Sequence, residues 1–149
     1  MEEIKTTIDI ISITIRSLSV ASWGLFAGAM LTEALVLVPY WKSLAPLDFF
    51  AWYKANDQRL LKFFGPITSL TVLLAIANAI ICIWQGHYVK WITLTNAIIS
   101  VMVLSSFFIY FQKANLSFAT ASIRTDDVAT ELTRWALWHG VVLFLVLLH

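Results

Sequence analysis

Apolar residues run almost unbroken along four stretches of this chain, and the intervals between them are polar. Leu18 to Trp41 is the first stretch and only Glu33 interrupts it. Phe63 to Gln85 is the second and carries no charge, and Trp91 to Gln112 is the third. Each reaches the roughly 20 residues with which a helix crosses a hydrocarbon core. The fourth, Trp135 to His149, is too short at a rise of about 1.5 Å per residue. Its helix is therefore expected to begin near Val128. That start takes in Glu131 and Arg134, which can pair across one turn. The expected spans are thus about 17–41, 63–85, 91–112 and 128–149.

The connections differ in kind. Gly86-His87-Tyr88-Val89 leaves room only for a hairpin of two antiparallel helices, with His87 solvated. Lys42 to Lys62 and Lys113 to Thr130 read as long polar loops. In the first, Asp48 would cap a short helix and Phe49, Phe50, Trp52 and Tyr53 would rest at the membrane interface. In the second, Thr125-Asp126-Asp127 would cap the fourth helix. No internal repeat or composition shift divides the chain. The expected fold is all-α: a single-domain, integral-membrane four-helix up-and-down bundle.

Composition narrows the classes further. The chain is 60% hydrophobic and 13% charged over 149 residues. A water-soluble fold of this size has too much surface per volume to hide that much apolar material. The net charge of +1 provides no basic field, which argues against a nucleic-acid partner. The single cysteine, Cys82, lies in an apolar run and is expected to be inert packing. The acidic start Met1-Glu2-Glu3 is unlike a cleavable signal. Lys42, Lys54, Arg59, Lys62, Lys113, Arg124 and Arg134 fall on one side of the expected bundle, and Lys5, Arg16 and Lys90 on the other. The positive-inside rule then puts the long loops in the cytoplasm and both termini outside. A bacterial inner membrane is the expected location.

Glu33 is the residue to explain, because a carboxylate at membrane depth costs about 2.5–3.5 kcal/mol on insertion scales. It lies about 12 Å from the cytoplasmic end of its helix, and His139 about 15 Å from the same end of the fourth. First and fourth helices are neighbours in an up-and-down bundle, so the two can meet. Thr68, Ser69, Thr71, Ser105 and Ser106 fall in the same layer. An outer layer holds Asn78 and Asn96, which suit an interhelical amide pair. A carboxylate and an imidazole can pass protons or ligate a metal. They can also serve only to fix helix register. A metal would need further donors, for which Asp57 and Glu131 are the candidates. Asn56 and Arg59 are placed at the mouth, to hold a phenolic or anionic oxygen. Trp135 and Trp138 either anchor the fourth helix in the interface or, with Ser105, wall a flat ligand. Gly24 and Gly28 form a Gly-x-x-x-Gly face for close helix packing within the chain or in a homodimer.

Gly-Ala-Met-Leu-Thr-Glu-Ala (residues 28–34), Val-Pro-Tyr-Trp (38–41), an aromatic and polar segment, and a closing Arg-Trp-x-x-x-His (134–139) together resemble the small four-span membrane family that includes the anthrone oxygenases. The layout matches over nearly the whole chain. That family tends to close its fourth span with a polar residue followed by arginine, where this chain has Val141 and Val142 after Gly140. The resemblance implies oxygen-dependent oxidation of an aromatic, hydroquinone-like substrate at the membrane. A local resemblance links residues 28–34 to the first helix of small multidrug-resistance transporters, where one embedded glutamate exchanges protons for a lipophilic cation.

The expected function is therefore oxygenase-like oxidation of a flat lipophilic molecule in a pocket within the bundle. Glu33 would be base or ligand and His139 its proton partner or co-ligand, with iron, copper or no cofactor. A proton-coupled transporter and a non-catalytic membrane subunit remain as alternatives.

Overall fold

The computed structural model describes residues 2–148, and these are helical apart from short turns. Helix α1 (Glu2–Thr32) runs through a π-helical turn (Glu33–Leu37) into α2 (Val38–Ser43). After a break at residues 44–45 comes α3 (Pro46–Trp84), and after a tight turn α4 (Lys90–Ser106). A second π-helical turn (Phe107–Phe111) leads into α5 (Gln112–Ala119). A 3₁₀ turn (Thr125–Asp127) then introduces α6 (Val128–Leu147). Three of the resulting helical rods, Glu2–Ser43, Pro46–Trp84 and Lys90–Ala119, are long and apolar enough to cross a membrane. Helix α6 carries Glu131, Arg134 and His139 in its 20 residues and is not among them.

The packing follows from residue size. Helix α3 lies along both α1 and α4. Its direction relative to α1 is antiparallel, because Gln85 donates to Ser12 Oγ at 2.7 Å while Thr71 donates to the Ser22 carbonyl at 3.3 Å. Small residues line this half: Ala75, Ala79 and Cys82 on α3, and Thr93, Ala97 and Ser100 on α4, are all buried. At the other end the core is aromatic. Trp41, Phe49 and Phe118 are fully enclosed, and Trp41 meets Trp135 edge-on with centroids 5.4 Å apart. Outward faces stay apolar, with Leu35, Leu73, Ile80, Ile109 and Phe144 all exposed.

Two helix ends close in the same way. Gly86, at φ +63°, sends its N–H to the Ile83 carbonyl at 3.1 Å, and His87 sends its own to Cys82 at 2.9 Å. This is the left-handed cap that glycine adopts without steric cost. Ala121, at φ 48°, sends its N–H to the Phe118 carbonyl at 3.3 Å, and Ser122 sends its own to Ser117 at 3.0 Å. There the methyl group makes the same conformation cost about 1 kcal/mol.

The segment 42–62 is not the expected loop. The chain breaks only at residues 44–45 and then forms helix from Pro46 onward, with Ala45 as the capping position instead of Asp48. Pro46 is pre-set for a first helical position, and Lys, Gln, Arg and Leu sustain a helix in water as well as in lipid. Polarity in this segment changes the helix's surroundings without ending the helix. The same holds for 113–119, which continue the third rod. Asp127 occupies the capping position of α6 without a side-chain bond. The first helix starts at Glu2, well before residue 17. Asn78 does not pair with Asn96; it accepts the Cys82 thiol at 3.6 Å. His87 is half-buried and accepts from Arg16 at 3.1 Å, which ties α1 to the hairpin. Gly24 and Gly28 are exposed, and a Cβ at either would meet nothing, so they serve no close packing within the chain.

Candidate functional site

The aromatic half contains a cavity of about 500 Å³ that opens to the surface. Phe26, Met30 and Glu33 form one wall, and the α3 stretch from Tyr53 to Ser69 another. Residues from Val103 to Ala119 form the third, and Trp135, His139 and Val142 the fourth. Three local features open this space. Pro66 interrupts the hydrogen bonding of α3 beside it. The second π turn, Phe107–Phe111, lies on the facing wall, preceded by Ser106, whose hydroxyl bonds back to the Val103 carbonyl at 2.6 Å. The first π turn begins at Glu33 itself.

That first turn decides where Glu33 points. Pro39 has no N–H for the carbonyl of Leu35, and its ring would clash there in a regular helix. The wide turn just before it accommodates the proline. Val38 bonds to the Glu33 carbonyl, five residues back, in place of the usual four. In a regular helix residues 33 and 38 would lie about 140° apart. The wide turn stacks one over the other, and both are buried. Short wide turns of this kind are frequent at functional sites.

Glu33 and His139 are 7% and 2% exposed, and Glu33 Oε2 lies 3.6 Å from His139 Nδ1. This separation is an ion-pair contact, beyond hydrogen-bond range. His139 Nε2 donates to the Met30 carbonyl at 3.0 Å. A carbonyl can only accept, so Nε2 carries hydrogen and Nδ1 faces the carboxyl. With one proton on either Nδ1 or Oε2 the pair is neutral overall. The Trp135 ring lies flat against His139, with centroids 5.0 Å apart and planes 13° from parallel. Trp135 is itself fixed, donating to Asn115 Oδ1 at 2.9 Å. The imidazole is thus held on its edge by a backbone carbonyl and on its face by an indole.

The other expected site residues scatter. Trp135 lines the cavity, but Trp138 does not; it stacks on Tyr110 at 5.1 Å on the outer side of α6. Ser105 bonds to the Val101 carbonyl away from the cavity, and Ser106 lines the wall in its place, with Thr68 and Ser69 opposite. Thr71 lies deeper, bonded to α1. Arg59 is exposed and donates to Asn56 at 3.4 Å, and neither residue lines the cavity. Along this face of α3 the lining passes through Tyr53, Asp57 and Gln58 instead. Glu131 is occupied by the Tyr110 hydroxyl at 2.8 Å and by Arg134 at 3.1 Å. It is no partner for Glu33. Among the described residues no three His, Cys, Asp or Glu side chains come together to hold a metal ion. Glu33 and His139 are two donors, too few for the iron or copper site contemplated from the sequence.

The charge of the lining is one-sided. Glu33 and Asp57 are acidic, His139 is titratable, and neither lysine nor arginine lines the cavity. Tyr53 was expected at the interface, but its ring is only 2% exposed and belongs to this wall. Aromatic content alone could not separate the two positions. No known protein family, curated protein or solved structure matches the chain.

Proposed function

We propose that this chain is an integral-membrane four-helix up-and-down bundle of a bacterial inner membrane, and that it oxidises a flat lipophilic hydroquinone or related phenol in the cavity. The Glu33–His139 pair takes the phenolic proton. What carries the reading is that pair, buried at the wall of an aromatic cavity and held in position by Met30 and Trp135. The exposed apolar faces and the three long apolar helices support insertion. The excess of Lys and Arg at the cavity end supports a cytoplasmic orientation for that end.

The site residues do not suit a resident metal, so no step runs through one. The neutral pair accepts one proton from a substrate hydroxyl, and the phenolate stays beside the imidazolium. Two electrons then pass to dioxygen. Both substrate protons follow, one of them returned by the pair, giving quinone and hydrogen peroxide and restoring the pair. A positioned base contributes about 10²–10⁴-fold to such a step. The test is oxygen uptake by detergent-purified protein supplied with an alkyl-tailed hydroquinone. Uptake should fall by about 100-fold in Glu33→Gln and His139→Asn, while quenching of Trp135 by bound quinone persists. Equal uptake in wild type and both variants would remove the pair from the chemistry.

The one-sided charge of the lining favours a second reading, exchange of a lipophilic cation for a proton at Glu33. Aromatic walls attract cations through their ring faces. In proteoliposomes that reading requires uptake of tetraphenylphosphonium driven by a pH gradient and abolished in Glu33→Gln. A purely structural pair would instead change stability and leave both assays flat.

A further inference from the structure

A proton that reaches the Glu33–His139 pair must also leave it, and both readings above depend on that exchange. The pair is buried on the wall of the cavity, and His139 spends its second nitrogen on the Met30 carbonyl. The exit therefore has to run from Glu33 along the cavity wall.

Tyr53 stands on that wall. Its ring is clamped between Trp41, Phe49 and Phe118, with centroids 5.7, 5.6 and 5.3 Å away. Its hydroxyl makes no hydrogen bond to any described residue, although the side chain lines the cavity. A buried phenol normally finds a partner for its hydroxyl, so a rigid ring with an uncommitted hydroxyl on a cavity wall needs a reason. Two carboxyl groups lie within electrostatic reach of it, Glu33 acting more strongly and Asp57 less. Asp57 sits one turn further along α3, on the same face as Tyr53, and is half-buried where the exposed Gln58 adjoins the lining. Among the described residues its carboxylate accepts from Gln58 alone, at 2.6 and 3.3 Å, and pairs with no lysine or arginine.

We infer that Tyr53 and Asp57 form a proton relay that connects the buried Glu33–His139 pair to water at the cavity mouth. The inference rests on the proton exchange proposed above. In the outward direction the Glu33 carboxyl gives its proton to the Tyr53 oxygen, directly or through cavity water. Tyr53 simultaneously passes its own hydroxyl proton to the Asp57 carboxylate. Rotation of the hydroxyl resets the phenol, which never needs to ionise, and Asp57 releases the proton to solvent. Inward transfer is the reverse.

The experiment is a pH jump on the full chain in nanodiscs, followed by time-resolved infrared spectroscopy. The Glu33 bands are assigned by their loss in Glu33→Gln. Tyr53→Phe keeps the ring and removes only the hydroxyl. It should slow the Glu33 response by about tenfold or more while leaving the final amplitude and the melting temperature unchanged. Asp57→Asn should slow it similarly, and added formate should restore the rate, a rescue that a packing defect would not show. A Tyr53→Phe rate within twofold of wild type overturns the relay, as does slowing in Asp57→Asn that formate leaves untouched. Glu33 bands that ignore every pH jump in the wild type would overturn the relay together with the proton exchange beneath it. Normal relay kinetics without hydroquinone oxidation would remove that activity alone.

Discussion

The two halves of this molecule are built on opposite principles. In the half nearer the hairpin, α1, α3 and α4 are regular, and the surfaces they bury are mostly Ala, Ser, Thr and Cys. Small side chains let helix backbones approach closely, and dispersion contacts then hold the helices together. In the other half two wide turns and a proline disturb three helical walls, and the largest buried residues are Trp, Phe and Tyr. Rings on irregular helices cannot close on one another as tightly, and the cavity occupies what is left. One half thus supplies rigidity, and the other supplies a place where polar groups can be buried and still be reached.

Three measurements of unfolding in bicelles would break or sharpen that contrast. The largest effect belongs to the cavity half. His139→Ala removes the partner of a buried carboxyl, the Met30 bond and the Trp135 stack together, and should cost about 3–5 kcal/mol. A loss under about 1 kcal/mol would mean that the pair contributes nothing to the fold. Next is the regular half, where Ala79→Leu forces a large side chain into a buried small-residue face. It should cost about 1–3 kcal/mol and leave ligand quenching of Trp135 intact. If quenching changed as much as stability, the halves would not be separable. The smallest effect compares the two left-handed caps. Ala121→Gly should gain about 0.5–1 kcal/mol, whereas Gly86→Ala should lose a similar amount. Two changes of the same sign would contradict the strain assigned to Ala121.

Much of the scaffold is legible from one-dimensional rules. The hairpin at Gly86 follows from a glycine between two apolar runs, and the start of α6 at Val128 from helix rise against membrane thickness. The approach of Glu33 to His139 follows from the same depth arithmetic, because depth depends only on residue count. What depth does not give is azimuth. Ser105 and Ser106 are one residue apart, yet only Ser106 reaches the cavity; Asn56 and Arg59 miss it while Asp57 and Gln58 do not. Each such choice turns on about 100° of rotation per residue, and the wide turns shift that angle without leaving a mark in hydropathy. The long helical extensions at 46–62 and 113–119 were hidden for another reason. Hydropathy reports where an apolar stretch ends, and a helix made of good formers continues past that point.

The wide turn at Glu33 amounts to one amino acid of surplus length in the first rod. Losing any single residue from 34 to 37 would take up that surplus and let the rod run as ordinary α-helix, with Glu33 and Val38 then four positions apart and still on one face. The acid would stay beside His139 and Trp41 in its aromatic nest. Pro39 would then stand in mid-helix at a cost of about 3 kcal/mol. A deletion of three nucleotides would therefore leave the acid in place and weaken the rod at the proline, so the surplus residue is there for Pro39 more than for the direction of the acid.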